Sequence, residues 1–196
     1  MRRIASLAGV VAAVGVFSLI SATSAFATTY TITNGGTALS FKAGTTTLKD
    51  TRSNNTLTCT SSSSTADIPS GSNNGSPLGT VTALSFSSCT GPLNISFTVS
   101  PSGLPYQLDA TSSSGGVTDG TMAVSASLSG SSCTATVSGT VDGTYTNSTH
   151  TLAVSPDGNL LTVKSASCLG IISKGDVVDF NGSYVEQGSG PYLSVT

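Results

Sequence analysis

The chain has 196 residues, with seven basic against nine acidic side chains, a formal net charge of −2 and only 8% charged residues. That balance supplies no basic footprint for nucleic acid, and no stretch beyond residue 28 is long and apolar enough to cross a bilayer as a helix. Ser and Thr make up more than a third of residues 28–196, so solubility rests on hydroxyls, while apolar residues recurring in alternation argue a folded domain rather than disorder.

The first 27 residues read as a secretory signal peptide. Arg2 and Arg3 precede an uncharged apolar stretch over 4–20, and Ser24-Ala25-Phe26-Ala27 ends in an A-x-A cleavage pattern. The apolar run is shorter than a permanent anchor needs, and Ile4-Ala5-Ser6 after the arginine pair lacks the apolar pair expected for twin-arginine export. The exported chain is expected to begin near Thr28 and to work outside the membrane, secreted or at the cell surface, with no membrane span left after cleavage. Residues 28–196 keep five basic against nine acidic side chains, a net charge near −4, and are expected to form one all-β domain.

Strand-like runs then follow one another. Residues 29–33, 38–42, 55–60, 79–88, 93–99, 104–110, 121–129, 133–141, 151–155, 160–166, 176–185 and 192–195 mix β-branched and aromatic residues in near period-two alternation. Asn34-Gly35, Asp119-Gly120, Asp142-Gly143, Asp157-Gly158 and Asn181-Gly182 read as turns, and the pair at 157–158 sits between two alternating runs, as in a hairpin. Residues 61–77, rich in Ser, Gly and Asn, read as a flexible surface loop. No sustained apolar stripe occurs at helical spacing. The expected fold is an antiparallel β-sandwich or a barrel-like sheet.

Four cysteines, Cys59, Cys89, Cys133 and Cys168, lie in the exported part. An even count outside the cell implies two disulfides. Three pairings exist and the sequence does not choose among them; the sequential one, Cys59–Cys89 with Cys133–Cys168, is the reading taken. A metal site does not fit the cysteine spacing with His150 as the single histidine. The runs LSFSSCTGPL (84–93) and VKSASCLGII (163–172) echo each other, as two halves each closed by one disulfide would.

The phrases LTCTSS, GTVTALSFSSCTGPLNISFTV, GTYTNSTHTLAV and ASCLGIISKGDVVDFNGSYV together resemble a family of small secreted proteins of unknown function from Streptomyces and related actinobacteria. That resemblance implies export, an actinobacterial source and a disulfide-bonded β fold, and carries no catalytic residue with it. A looser similarity, of fold type only, is to the neocarzinostatin-type carriers of small apolar ligands, whose cysteine spacings differ.

Chemistry-bearing residues are few. His150 has no G-x-S-x-G elbow to serve and reads as structural, near a hairpin end. Asp119, Asp142 and Asp157 precede glycines as turn residues do, while Asp176 and Asp179 would face opposite sides of a strand. A weak calcium site or distant carboxylate pair stays open. The chain has no Trp, and Tyr30, Tyr106, Tyr145, Tyr184 and Tyr192 are scattered through strand-like runs, which favours core positions over a sugar platform. No catalytic, cofactor or metal residue is assigned. The expected role is a non-catalytic binding, cell-surface or structural protein, with a carrier of a small apolar ligand as one alternative and a carbohydrate-binding module or hydrolase as another. The partner is expected to be a cell-envelope component, a secreted protein or a small apolar ligand, and self-association through exposed edge strands stays open.

Overall fold

Strand pairing in the computed structural model, which describes residues 28–155 and 160–196, closes on itself. Its strands are β1 (Tyr30–Thr33), β2 (Gly36–Ala43), β3 (Thr46–Asp50), β4 (Thr56–Ile68), β5 (Gly71–Asn73), β6 (Gly79–Thr90) and β7 (Ser96–Pro101). They continue with β8 (Tyr106–Ser114), β9 (Val117–Gly130), β10 (Cys133–Thr146), β11 (Thr151–Val154), β12 (Leu160–Ser167), β13 (Val177–Glu186) and β14 (Ser194–Val195). Helical structure among the described residues is limited to a single turn at Pro92–Asn94.

Three pairs of short strands lie end to end and act as single staves. β2 and β3 both run between β4 and β13. β7 and β8 both run between β6 and β9. β11 and β12 both run between β10 and β13. With β4, β6, β9, β10 and β13 they make an eight-position antiparallel barrel in simple chain order, the widest ladder being β9 on β10 from Cys133↔Gly130 to Thr146↔Val117. An all-β antiparallel fold was expected, and the structure selects the barrel over the sandwich. Closure pairs every stave of the ring on both sides over at least part of its length; free edges among the described residues remain in the small sheet β14-β1-β5 and along one side of β6.

Three sequence expectations are corrected. Residues 61–68 are not loop but half of β4, and 71–73 form β5. Ser62, Ala66 and Ile68 are buried, while Ser63 Oγ meets Ser85 Oγ across the ladder at 2.8 Å. Short hydroxyls fit a pleat when cross-strand partners satisfy them, and composition alone hides this. Asp119-Gly120, Asp142-Gly143 and Asn181-Gly182 lie inside β9, β10 and β13; only Asn34-Gly35 of the described pairs sits at a bend, with Asn34 at φ 57°. Gly120 and Gly143 are register partners. A Cβ on Gly120 would lie 2.6 Å from the Asp109 carbonyl oxygen, so close backbone approach, not turning, calls for glycine there. Finally, β11 and β12 do not pair with each other, so no hairpin joins them. Asp157-Gly158 and the leader at 1–27 lie outside the described residues.

Both sequential disulfides form, Cys59–Cys89 and Cys133–Cys168. Cys59 stands directly opposite Cys89 on the β4–β6 ladder, and Cys133 lies one residue beyond the Thr134↔Ser167 pair of β10–β12. Both lie at the barrel end holding the β3–β4, β6–β7, β9–β10 and β12–β13 connections, here called the disulfide end. Cys59 is therefore remote from residues 69–77. The same end is closed by polar contacts between two connections. Arg52 grips Asp176 with Nε and one terminal nitrogen at 2.7 and 2.8 Å. Buried Asp50 accepts the Arg52 N–H and the Ser53 hydroxyl, and Asn55 Nδ2 donates to the Ile171 carbonyl.

At the opposite end, the sheet end, β14-β1-β5 covers the mouth and buries Tyr30, Ile32, Leu193 and Val195. One seam of the wall is open in its ladder. On β6, Gly79–Val81 pair with β8 and Cys89–Thr90 with β7, leaving 82–88 without a ladder partner on that side.

Disulfides spanning 30 and 35 residues constrain the unfolded chain. Cys133→Ser/Cys168→Ser should lower urea-unfolding stability by about 2–4 kcal/mol, read from the transition midpoint. The hydrogen bonds and charge of Arg52 hold the Asp176 carboxyl below its usual range. A carboxyl depressed in the folded state adds stability above its unfolded value, roughly pH 4, and loses it as pH falls through the folded value. Asp176→Asn should therefore melt earlier than wild type at pH 7, and the difference should shrink below about pH 4.

Candidate functional site

Alternation along eight staves sends one set of side chains to a common interior. The interior is apolar and incompletely filled. A cavity of about 100 Å³ lies in the middle of the barrel, walled mainly by aliphatic and aromatic groups. A second of about 80 Å³ lies towards the sheet end. They adjoin, sharing Ser64, Val81, Met122, Val141, Leu152 and Val154 as wall.

Burial varies along the barrel in an informative way. Near the disulfide end Val137, Val163 and Val178 are buried, and at the sheet end so are Ile32, Leu193 and Val195. In between, Leu84, Phe86, Met122, Val124, Leu152 and Phe180 line the larger cavity yet are only half-buried. Solvent-sized space therefore reaches inward-facing apolar groups in the middle of the barrel. Leu84 and Phe86 belong to the unpaired 82–88 segment of β6, which places that seam beside the cavity. Phe86 meets Phe180 edge-to-face across the interior, with ring centroids 6.0 Å apart.

Glycines and small residues create this room. Gly120 and Gly143 line the second cavity beside Ala110 and Thr118. Sequence reasoning read both glycines as turns; the signal missed was that each sits in phase with inward-facing neighbours, Met122 on β9 and Val141 and Tyr145 on β10. Thr46 lines the larger cavity, and its buried Oγ1 has no hydrogen-bond partner.

Polar groups near the interior act as clamps. The Ser62 hydroxyl donates to Tyr184 Oη at 3.0 Å, and burial pushes the Tyr184 phenol up to about 12. Tyr145 Oη donates to Glu186 Oε2 at 3.0 Å and to the Leu193 carbonyl at 2.9 Å. Burial first, and then the Glu186 carboxylate, raise the Tyr145 phenol well above its ordinary value. Both phenols therefore stay protonated at neutral pH, Tyr145 as a donor and Tyr184 as the acceptor from Ser62. Glu186 also accepts the Leu193 N–H, and the Asn147 amide pairs with both backbone groups of Val195. These bonds fasten the C-terminal strand over the sheet end.

The residues singled out from the sequence are dispersed. His150 lies at the β10–β11 hairpin end, as expected, with its ring stacked on Tyr192 at 4.1 Å and Nδ1 unbonded. Tyr30, Tyr106, Tyr145 and Tyr184 are buried, so they form no exposed sugar platform. Asp119 accepts the Ser112 hydroxyl, and Asp176 serves Arg52. Among the described residues no cluster of three or more His, Cys, Asp or Glu side chains is placed to hold a metal ion, and no helix is long and apolar enough to cross a membrane.

A family model described as "Alkane oxidation protein activator PraA/PraB-like" matches residues 1–174. No curated protein and no solved structure matches the chain.

Tyr145→Phe removes two bonds, one to a buried carboxylate, and should cost about 1.5–3 kcal/mol in urea unfolding. Amide exchange at β1 and β14 should accelerate more than exchange at β9 and β10, since only the former depend on that clamp.

Proposed function

Because this chain belongs to the PraA/PraB-like family of alkane oxidation activators, we propose that it is an exported, non-catalytic protein that takes a linear hydrocarbon into its barrel. The carrying observation is the hollow apolar midsection, where inward-facing Leu84, Phe86, Met122, Val124, Leu152 and Phe180 remain half-exposed. Apolar hollows of about this size accept small apolar solutes. Two adjoining ones suit an extended chain better than a bulky ring system. Met122 borders both cavities, and its flexible thioether adapts to an irregular occupant. The unpaired β6 seam offers a way in that leaves both ends of the barrel closed.

Export is supported by the signal-peptide pattern at 1–27 and by two disulfides, which persist outside the reducing cytosol. Residues 28–196 are then the working domain, and the resemblance of the cysteine-bearing phrases to Streptomyces-type proteins adds an actinobacterial source. An activator that binds substrate without transforming it fits a site holding apolar wall, two protonated phenols and, among the described residues, no cluster of three His, Cys, Asp or Glu side chains. Its contribution to oxidation is to raise the amount of dissolved hydrocarbon within reach of the oxidising cell.

Binding of n-octane and n-hexadecane to the disulfide-bonded protein, followed by native mass spectrometry and calorimetric titration, tests this. Wild type should retain one alkane, with a negative heat-capacity change. Met122→Trp, filling the shared wall, should weaken binding by about tenfold or more, as loss of a well-formed apolar site does, without lowering the melting temperature. If wild type retains neither alkane, the carrier reading is wrong.

A further inference from the structure

Two leucines at the disulfide end have no role in the barrel. Leu93 is 86% exposed and Leu169 88%, against 37–43% for the other exposed large hydrophobic residues. Each sits in a tight four-residue turn. The Ile95 N–H donates to the Pro92 carbonyl at 3.2 Å, and the Ile171 N–H to the Cys168 carbonyl at 2.9 Å. In both turns the leucine is the first central residue, with φ 58° at Leu93 and 46° at Leu169, and the second is also left-handed, Asn94 at 56° and Gly170 at 82°. Asn and Gly suit such positions; leucine does not, because its Cβ crowds the following carbonyl. A polar residue or glycine would be easier to hold and better solvated. Twice, the chain instead holds out a bulky apolar side chain.

The placement of the two turns is related. They join β6 to β7 and β12 to β13, connections four positions apart in the eight-position ring and so on opposite sides of one mouth. Each base is stapled to the neighbouring strand, by Cys89 to Cys59 for the first and by Cys168 to Cys133 for the second. The sequence echo around Cys89 and Cys168 thus corresponds to two disulfide-based supports for two apolar tips. Pro92, Ile171 and Ile172 share a small recess between the tips.

Charge is distributed along the same axis. Three of the five basic residues in 28–196, Lys49, Lys164 and Lys174, lie exposed on β3, β12 and the β12–β13 connection in the disulfide half, where a fourth, Arg52, is paired with Asp176. Of the described carboxylates in that half, Asp176 is offset by Arg52, which leaves buried Asp50 and Asp179 on β13 against the three lysines. Asp67, Asp109, Asp119, Asp142 and Glu186 lie towards the sheet end. A domain that is acidic overall therefore turns its basic end in the direction its exposed leucines point.

We propose that the disulfide end docks on an anionic lipid surface, with Leu93 and Leu169 entering the acyl boundary and the surrounding lysines facing the headgroup phosphates. Separate apolar tips on a basic rim suit a fluid anionic interface, where basic side chains add to apolar insertion. A shaped protein partner would call for a continuous patch instead. The assignment is independent of whether the barrel holds a ligand, because neither leucine lines a cavity.

The absence of Trp from the chain makes the test specific. Leu93→Trp and Leu169→Trp each introduce a single indole at one tip, and each should shift its emission to the blue on phosphatidylglycerol vesicles. Wild type should co-sediment with those vesicles about tenfold more than with phosphatidylcholine vesicles, and less as salt rises. Leu93→Ser/Leu169→Ser should reduce co-sedimentation about tenfold while leaving the melting temperature unchanged, since both side chains are already in water. Unshifted emission at both tips, or equal binding to neutral and anionic vesicles, would overturn the proposal. So would a wild-type dimer in sedimentation velocity that the double serine variant abolishes, because the tips would then cover a second copy. If the indole variants do not fold, co-sedimentation of the serine variant decides alone.

Discussion

Closure of the eight-position barrel is the constraint from which the rest of the structure follows. Once β9 lies along β10 from Cys133↔Gly130 to Thr146↔Val117, and the three split staves complete the ring, every second side chain is committed to one shared interior. The number of strands sets the width of that interior, and eight leaves just enough room for side chains to fill it or to admit one small ligand. Here the inward set includes Gly120, Gly143, Ala126 and Ser64. Small residues at those places do not fill the middle, so the cavities follow from composition at inward positions rather than from any irregularity of the wall.

The two ends are held by different chemistry, suited to what each must restrain. At the disulfide end, long connections are tied down by covalent bonds and by the Arg52–Asp176 pair with Asp50 and Ser53. At the sheet end, the short strand β14 is held by the Tyr145, Glu186 and Asn147 side chains. A buried carboxylate is tolerated there because a phenol and a backbone amide occupy its oxygens. Segments fastened by a few side-chain bonds open below the free energy of global unfolding. The sheet end is therefore the softer of the two, while the stapled end keeps the positions of its tips.

Membership of a family named for activating alkane oxidation gains a physical reading from this arrangement. Hydrocarbons are limited by their solubility, and on the carrier proposal an apolar hollow would address that limit without a chemical step. The exterior is rich in hydroxyls with few charges, and ring closure shortens the strand edges that an apolar β protein otherwise exposes. Interior and exterior are therefore specified separately, by alternate residues of the same strands.

Much of this was legible in the sequence. Period-two alternation determined an all-β fold, and an even number of cysteines after an export signal pointed to two disulfides. Local pattern misled wherever a residue's meaning depended on a neighbour distant in the chain. Ser61–Thr65 looked like a loop because its hydroxyls find their partners on strands distant in the chain, Ser63 with Ser85 on β6 and Ser62 with Tyr184 on β13. Gly120 and Gly143 looked like turns because the backbone that crowds them belongs to β8 and β11. Whether alternating strands form a sandwich or a ring, whether the interior is full or hollow, and that Leu93 and Leu169 stand at the same mouth were decided by tertiary structure alone. Alternation states which side of a strand is buried, whereas closure, cavity and shared mouth depend on which strands become neighbours, and that is set by pairing over distances no local pattern records.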